Sequence, residues 1–316
     1  MKKAFITGLT GFAGAHLANH LINSGYDVSG TYLTQESADN FELKSKVNLH
    51  QLDLLDKDKT YSLFEKIKPD VVFHLAAISS PRESFKDPNK TFITNISSQV
   101  NVLEAIKNLK LFKTKILIIS SAEVYGRVKN EEIPIDENTP LNPTNPYAVS
   151  KIAQDYLGLE YFLTEQLQIY RVRPFNHVGP GQSPNFVISA FAKRIVDIEK
   201  GREKSMKIGN LSAKRDFTDV RDMVKAYVLA IEKGEAGDVY NIGSGLSFRI
   251  SEILEKLKNL SNINIKTEED PDLMLPSDNP ELRCDNSKFV NLTGWEMEVP
   301  IEKTLKDTLD YWREKD

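Results

Sequence analysis

Residues 3–25 read KAFITGLTGFAGAHLANHLINSG. The apolar run at the start of this stretch predicts a β-strand, and the remainder after the glycines predicts a helix. Gly8, Gly11 and Gly14 lie between the two at intervals of three residues. Glycine there permits a tight turn, a close approach of the backbone to a phosphate and close packing of helix on strand. The free N–H groups at the start of the helix favour negative charge, so the stretch predicts a dinucleotide-binding loop.

Short β-rich runs alternate with helical stretches along the rest of the chain. The predicted strands are Lys3–Thr7, Tyr26–Tyr32, Val47–Gln51, Asp70–His74, Lys115–Ser120, Gln168–Val172 and Val239–Ile242. The predicted helices are Gly11–Ser24, Thr60–Ile67, Pro88–Leu109, Tyr147–Thr164, Phe186–Lys200, Arg221–Lys233 and Ile301–Glu314. This alternation predicts right-handed βαβ units and an α/β fold with a doubly wound parallel sheet of the Rossmann type.

The second half of the chain predicts a smaller α/β domain packed on the first. After Pro174 the strand–helix alternation loosens, and residues 216–242 look like a return to the larger unit. We therefore expect a dinucleotide-binding domain made of residues 1–174 with 216–242. The remaining residues, 175–215 and 243–316, would form the substrate-binding domain.

The amino-acid composition disfavours some classes of binding partner. The 316 residues include 41 basic and 45 acidic side chains and a formal net charge of −4, which disfavours nucleic acid or an anionic membrane as the main partner. The single cysteine, Cys284, excludes an intrachain disulfide, and no apolar run approaches the ~20 residues that span a bilayer. We expect a soluble, cytoplasmic protein. His16 and His20 form an i,i+4 pair without a third ligand, so we predict no metal site.

Two further segments are predicted to lie at the cofactor. Asp53 and Leu54 follow the third strand, where a carboxylate would reach the adenine amino group. Residues 74–77, HLAA, end the fourth strand with small side chains that let a cofactor lie against the backbone. The alternatives are that Asp53 caps a helix and that the alanines are ordinary core residues.

The choice between NAD and NADP stays open. An acidic residue at the end of the second strand binds the ribose 2′-hydroxyl, and an arginine nearby binds a 2′-phosphate. Residues 30–34 read GTYLT and contain neither. Thr31 would hydrogen-bond to either form.

A proton-transfer site is predicted at Tyr147 and Lys151. Their spacing of four residues places both side chains on one helix face. A lysine ammonium and an oxidised nicotinamide would both lower the pKa of the phenol from its usual value of about 10. Ser121, at the end of the preceding strand, would hydrogen-bond to the same substrate oxygen as Tyr147. The alternative is an ordinary pair on a surface helix.

These motifs resemble the extended short-chain dehydrogenase/reductase family over essentially the whole chain. The segments that carry the resemblance are the glycine loop, residues 74–77, residues 120–126 (SSAEVYG), residues 145–151 (NPYAVSK) and residues 173–176 (RPFN). The resemblance implies a Ser121, Tyr147 and Lys151 triad and an active-site asparagine at Asn95, whose alternative is helix-surface polarity. It also implies a homodimer formed through the helices at 88–109 and 147–164.

Residues 175–182, 186–187 and 209–217 resemble the GDP-sugar branch of that family, namely GDP-mannose 4,6-dehydratases and, more closely, reductases of GDP-4-keto-6-deoxymannose that form GDP-rhamnose. The resemblance implies a nucleotide-sugar substrate, with Asn176 on a sugar or phosphate oxygen and Arg215 on the diphosphate or ribose. The alternative for Arg215 is an ion pair with Asp216 or Asp219.

Glu123 and Ala122 bear on the reaction. The resemblance implies that dehydratases use a carboxylate at Glu123 to remove the C5 proton, assisted by a neighbouring group. Ala122 cannot supply a proton, which favours reduction of a ketone over elimination. A 4,6-dehydratase, a 4-epimerase and a catalytically idle dinucleotide-binding sensor or scaffold remain the alternatives.

One departure from the family pattern concerns the residue that binds the nucleotide: residues 275–278 read LPSD where relatives commonly carry an arginine at the first position, and Arg283 is a candidate replacement.

The predicted catalytic residues are Ser121, Glu123, Tyr147 and Lys151. The predicted NAD(H)- or NADP(H)-binding residues are Gly8, Gly11, Phe12, Ala13, Gly14, Thr31, Asp53, Leu54, Leu75, Ala76, Ala77, Tyr147, Lys151 and Arg173. The predicted substrate-binding residues are Ser80, Asn176, Phe186, Val187, Arg215 and Arg283.

Overall fold

A computed structural model of the chain describes residues 1–270, 273 and 280–315. The strands are β1 Lys3–Thr7, β2 Asp27–Tyr32, β3 Asn48–Gln51, β4 Val71–His74, β5 Lys115–Ile119, β6 Gln168–Pro174, β7 Asn176–Val178, β8 Met206–Ile208, β9 Lys214–Asp219, β10 Val239–Ile242, β11 Ser247–Arg249, β12 Thr267–Glu269 and β13 Glu281–Leu282. The α-helices are α1 Phe12–Asn23, α2 Gln35–Asp39, α3 Lys57–Ile67, α4 Pro81–Lys86, α5 Pro88–Phe92, α6 Ser98–Asn108, α7 Pro146–Glu165, α8 Val187–Glu199, α9 Val220–Lys233, α10 Ile250–Lys258, α11 Ser287–Thr293 and α12 Ile301–Lys315.

The larger sheet has seven strands in the order β10-β6-β5-β4-β1-β2-β3, and every neighbouring pair is parallel. The central strands β1, β4 and β5 are apolar on consecutive positions because helices cover both faces. Leu17 of α1 and Val224 of α9 belong to the core on one face, and Phe64 of α3 and Val102 of α6 belong to the core on the other. The predicted doubly wound parallel sheet is confirmed.

The smaller sheet is built on β9, a strand that the hydrophobic pattern did not predict. β9 pairs with β11, with β13 and with β7. Helices α8, α10 and α12 share a second apolar core around Ile195, Leu254 and Leu309. β9 crosses the predicted boundary at residue 216, whereas β10 pairs with β6 in the larger sheet. The division into two domains stays a prediction.

The predicted single helix at 88–109 is interrupted by a π-helical turn at Ile93–Ser97. Asn95 lies in this wider turn and is fully buried. Its Oδ1 accepts from the Ile78 amide at 2.7 Å, and its Nδ2 donates to Ser150 Oγ at 2.9 Å. The asparagine thus joins the chain after β4 to α7, which rules out the helix-surface reading. Such turns often occur at functional sites.

Nowhere in the described residues does a helix combine the length and apolar character needed to cross a membrane. Over the same ranges no three His, Cys, Asp or Glu side chains are grouped as metal ligands.

Candidate active site

The glycine loop forms a turn that only small residues can occupy. Gly8 has φ of +67°, a left-handed conformation that favours glycine, and its amide donates to Thr31 Oγ1 at 3.0 Å. A Cβ at Gly14 would lie 2.6 Å from the carbonyl oxygens of both Gly8 and Leu9. The loop therefore packs closely on the end of β2 and on α1, whose first amides no side chain caps.

Thr7 joins the ends of β1 and β4. Its Oγ1 accepts hydrogen bonds from the amides of Leu75 and Ala76, each at 3.0 Å. The Nδ1 atom of the buried His74 lies 3.0 Å from the same oxygen. Because Ala76 Cα would lie 3.2 Å from a Cβ at Gly8, the predicted segment 75–77 lies against the glycine loop.

Phe12 and Ala13 occupy the first turn of α1 beside that loop. The Phe12 ring stacks on His177, with centroids 5.9 Å apart and planes 4° apart. His16 Nε2 donates to the Pro180 carbonyl at 2.8 Å. The position of the His16 side chain is explained by this packing against the loop after β7.

Two predicted cofactor residues have other contacts. Asp53 is exposed, and its Oδ1 accepts from the Leu55 amide at 3.0 Å, which is a local turn contact. Leu54 is buried, and its carbonyl accepts from Asn101 Nδ2 at 2.8 Å.

Arg173 is committed to protein groups. It is buried, and its Nε donates to Asp155 Oδ2 at 2.8 Å while its Nη1 donates to the Tyr125 hydroxyl at 3.0 Å. The Glu137 carbonyl accepts a further bond at 3.3 Å. With its donors directed at these acceptors, Arg173 is better explained as a structural residue than as the cofactor ligand that the sequence predicts.

Tyr147, Lys151 and Ser121 come together at the carboxyl end of β5. The Tyr147 side chain is buried, and the half-buried Ser121 side chain is close enough to it to lower the pKa of the phenol. Lys151 Nζ lies 5.9 Å from the centroid of the Tyr147 ring and donates to the Ile119 carbonyl at 2.9 Å. Asn145 caps α7 by accepting from the Ala148 amide at 2.7 Å, which fixes the start of the helix that carries both residues.

The titration of these groups differs from the sequence expectation. Burial raises the pKa of Tyr147 well above its usual value; the nearby Ser121 side chain opposes this rise, and the charge of Glu123 adds to it. Burial also lowers the pKa of Lys151 to about 7. The protein groups alone therefore hold Tyr147 as a protonated phenol, because the cost of burying a charge exceeds the opposing effect of Ser121.

Glu123 lies between the triad and the substrate-binding side. Its Oε2 accepts from Asn145 Nδ2 at 3.2 Å, and its charge acts on both Tyr147 and Arg215. The two aspartates proposed as alternative partners of Arg215 are bound elsewhere. Asp216 accepts from the Ser244 hydroxyl at 2.7 Å, and the side chain of Asp219 pairs with Arg221 at 2.7 Å and with Thr304 at 2.6 Å.

A cavity of about 680 Å³ opens between α4, α8 and the smaller sheet. Four of the predicted substrate residues line it: Ser80, Asn176, Val187 and Arg215. The described lining does not include Phe186 or Arg283. The Arg283 Nε lies 3.6 Å from Glu281 Oε1. Residues 275–278 lie outside the described residues.

The sequence analysis missed four basic side chains in the cavity wall: Arg82, Lys86, Arg194 and Lys207. They come from α4, α8 and β8, and no motif or regular spacing connects these segments. Only folding brings them to one place.

Comparison with known proteins shows to which family the chain belongs. A sequence model described as GDP-mannose 4,6 dehydratase matches residues 5–308. The chain is 34% identical to a GDP-6-deoxy-D-mannose reductase of Pseudomonas aeruginosa over 99% of this chain and 98% of that protein. It is 33% identical to a GDP-mannose 4,6-dehydratase of Vibrio cholerae serotype O1 over 80% of this chain and 70% of that protein.

Solved structures give the same grouping. The structure of RMD from Pseudomonas aeruginosa complexed with NADPH matches with a TM-score of 0.89 and 33% identity over 100% of both chains. The UDP-glucose 4-epimerase of Thermotoga maritima with UDP-glucose matches with a TM-score of 0.87 and 26% identity over 99% of both. The chain therefore belongs to the GDP-mannose 4,6 dehydratase family, among the NAD(P)-dependent nucleotide-sugar enzymes of the extended short-chain dehydrogenase/reductase fold.

Proposed function

We propose that this protein uses NAD(P)H to reduce the C4 keto group of a GDP-4-keto-6-deoxyhexose, giving a product of the GDP-rhamnose type. The observation that carries the proposal is the grouping of the buried Tyr147 with Lys151 and Ser121 at the carboxyl end of β5. This grouping supports roles for Tyr147 as a proton donor and for the Ser121 hydroxyl as an orienting group at the same substrate oxygen. A dinucleotide-binding scaffold without activity would not require this arrangement.

The residues present fit a nicotinamide dinucleotide. Gly14 lets the loop pack closely on α1, and the first amides of α1, which no side chain caps, suit a pyrophosphate. Thr31 lies behind the loop, and Leu75 and Ala76 lie beside it. The bound dinucleotide would supply the hydride. A similar solved structure contains NADPH and a similar epimerase contains NAD, so both forms remain in the proposal.

In the proposed mechanism Tyr147 donates its phenolic proton to the C4 oxygen as that oxygen gains negative charge. A phenol whose pKa burial raises is protonated at neutral pH, which is the form that reduction requires. Ser121 hydrogen-bonds to the same oxygen and orients it. Lys151, whose pKa is lowered to about 7, lies one helical turn away and would hold the dinucleotide ribose. Glu123 binds sugar hydroxyls from the other side.

The cavity supports a diphosphate-linked sugar as substrate. Its wall contains Asn176 and Arg215, on which the charge of Glu123 acts, and its apolar lining includes Phe191 and Leu211. A volume of about 680 Å³ is in the usual range for a small-molecule site. The GDP-sugar names of the related proteins supply the choice of nucleotide.

A 4,6-dehydratase is the second candidate, because Glu123 is a carboxylate close to Tyr147 and several relatives are dehydratases. Elimination of water from C6 also needs an acid that protonates the leaving hydroxyl. Ala122, the neighbour of Glu123, is a buried methyl group and supplies none. We therefore rank reduction first.

We also propose a homodimer that acts in the cytoplasm. Val149, Tyr156 and Leu163 are spaced by seven residues on α7 and expose 44%, 53% and 66% of their surface. A stripe with this period along one helix suits packing against another helix. The single cysteine, Cys284, fits a reducing compartment.

Incubation with alternative substrates tests the function. The purified protein is mixed with GDP-4-keto-6-deoxymannose and NADPH or NADH, with GDP-mannose, and with UDP-hexoses. Net oxidation of the reduced dinucleotide with the keto sugar alone is expected. Loss of water from GDP-mannose without net cofactor turnover would instead establish the dehydratase.

A further inference from the structure

The cavity wall carries a surplus of positive charge that comes from separate parts of the fold. Its basic residues are Arg82 and Lys86 of α4, Arg194 of α8, Lys207 of β8 and Arg215 of β9. Among the described lining residues, Glu83 is the single acidic side chain. A cavity of this charge attracts an anionic ligand.

On the α8 and β9 side, protein groups already engage these cations. Lys207 Nζ lies 3.2 Å from Asp270 Oδ2, and Arg194 Nη1 donates to the Lys207 carbonyl at 2.5 Å. Arg215 Nη1 donates to the Lys214 carbonyl at 2.8 Å, and the charge of Glu123 acts on it. These contacts orient the three side chains and reduce the net charge that this wall offers to a ligand.

The basic residues on the α4 side of the cavity differ from those on the α8 and β9 side. Over the part of the chain that the structure describes, neither Arg82 nor Lys86 forms an ion pair or a side-chain hydrogen bond. The two residues are four apart on α4, so their side chains project from one face of the helix. Ser80 caps α4 by accepting from the Glu83 amide at 3.3 Å, which fixes the start of the helix.

The two walls approach each other at one contact. Asn185 Nδ2, in the segment before α8, donates to Glu83 Oε1 at 3.4 Å. α4 therefore lies beside the segment that leads into α8, and it lines the same cavity as Arg215. Arg283, the replacement cation expected from the sequence, is absent from the described lining.

We propose that Arg82 and Lys86 bind the diphosphate of the nucleotide from the α4 wall, opposite Arg215. This inference rests on the proposed function and names residues that determine affinity at the same site. Two linked phosphates present charge on more than one side, and a guanidinium fork with an ammonium matches that distribution. The substrate would then join the two walls of the cavity.

The test compares the wild type with R82Q/K86Q and with each single variant. Isothermal titration with GDP and with UDP at 50 mM and 200 mM salt measures the diphosphate contribution whichever base is preferred. We expect the double variant to bind about tenfold more weakly at the lower salt, and to lose less affinity than the wild type when the salt is raised. GMP, with one phosphate fewer, should show a smaller difference between wild type and variant.

Kinetics give a second readout. The KM for the keto sugar nucleotide should rise about as much as the GDP dissociation constant, about tenfold, with a smaller change in kcat. Lys90→Gln, an exposed cation on the neighbouring α5 that does not line the cavity, is the matched control and should leave both constants unchanged. Thermal unfolding of each variant excludes a general loss of structure.

The outcomes separate the two proposals. If GDP and UDP bind the wild type and R82Q/K86Q with equal affinity, the assignment of Arg82 and Lys86 is wrong, whatever the enzyme reduces. If the wild type binds GDP but does not oxidise NAD(P)H with the keto sugar, the proposed reaction is wrong, and the titrations still decide the role of α4. Binding of neither nucleotide to the wild type would overturn both.

Discussion

The guanidinium of Arg173 lies 5.3 Å from the centroid of the Tyr125 ring and donates to the Tyr125 hydroxyl at 3.0 Å. Tyr125 ends the 3₁₀ turn Ala122–Tyr125, which Ser121 caps and which contains Glu123. Asp155, one helical turn beyond Lys151 on α7, accepts from Arg173 as well. This buried pair therefore connects the two backbone segments that supply the proposed catalytic groups.

Weakening that connection should lower turnover and leave cofactor binding intact. We expect Tyr125→Phe to reduce kcat about tenfold, because the turn that holds Ser121 loses the two hydrogen bonds of the hydroxyl, from Arg173 and to Asn241, each worth about 1 kcal/mol. The dissociation constant for NADPH, measured by fluorescence titration, should stay within about twofold of the wild-type value, since a factor of two is only about 0.4 kcal/mol. Tyr26→Phe, which removes an exposed hydroxyl bonded to Glu232, is the control.

Arg173→Lys extends this test. Lysine keeps the positive charge and loses the fork that joins Asp155 and Tyr125. It should resemble Tyr125→Phe, with a lower kcat and a shifted pH profile. A large rise in the NADPH dissociation constant with unchanged kcat would instead restore Arg173 as the cofactor ligand that the sequence predicts.

Tyr147→Phe tests the proposed proton donor. Removal of the hydroxyl should lower kcat by about 10²–10⁴-fold, the usual contribution of a general acid, while NADPH still binds. Tyr161→Phe on the same helix, whose hydroxyl donates to Glu104 at 2.8 Å, should keep wild-type turnover. Steady-state rates with the keto sugar decide this. Near-normal activity of Tyr147→Phe would remove the phenol from the mechanism.

The buried amine predicts how stability depends on pH. The pKa of Lys151 is lowered to about 7 in the folded protein, against about 10.4 for lysine in an unfolded chain. Between these values the unfolded chain binds the proton that the folded protein has released, so the free energy of unfolding should rise with pH. Below about pH 7 both states are protonated and this contribution is constant.

Urea unfolding of the wild type and Lys151→Met at several pH values from about 6 to 10 isolates that contribution, since methionine has the length of lysine without its charge. We expect the stability difference, wild type minus variant, to stay constant up to about pH 7 and to increase steadily above it. A constant difference would show that Lys151 keeps its ordinary pKa.

The apolar stripe on α7 predicts the oligomeric state. Tyr156, the middle residue of the stripe, is exposed in the single chain and would be buried between two copies. Tyr156→Glu places a charge there and should convert a dimer into a monomer, as measured by light scattering. Tyr61→Glu, at a partly exposed tyrosine on α3, should leave the mass unchanged. A wild-type protein that is monomeric at high concentration would contradict the prediction.

The sequence alone established the parallel sheet and the position of the glycine loop, because both depend on local patterns. β1 is bounded as predicted, and Tyr147 and Lys151 lie on one helix face because four residues make about one turn. β9 was not predicted, since its sequence, KRDFTD, is mostly polar and its position depends on three partner strands.

Only the tertiary structure decided which charges meet and which are buried. Nothing near Arg173 in the sequence shows that Asp155 and Tyr125 take its donors, and nothing in the spacing of Arg82, Lys86 and Arg215 shows that they share a cavity. The pKa of Tyr147 is a result of the same kind, because desolvation depends on everything packed around the phenol. Sequence patterns report neighbours within a turn or a strand, whereas burial and charge pairing depend on contacts between distant segments.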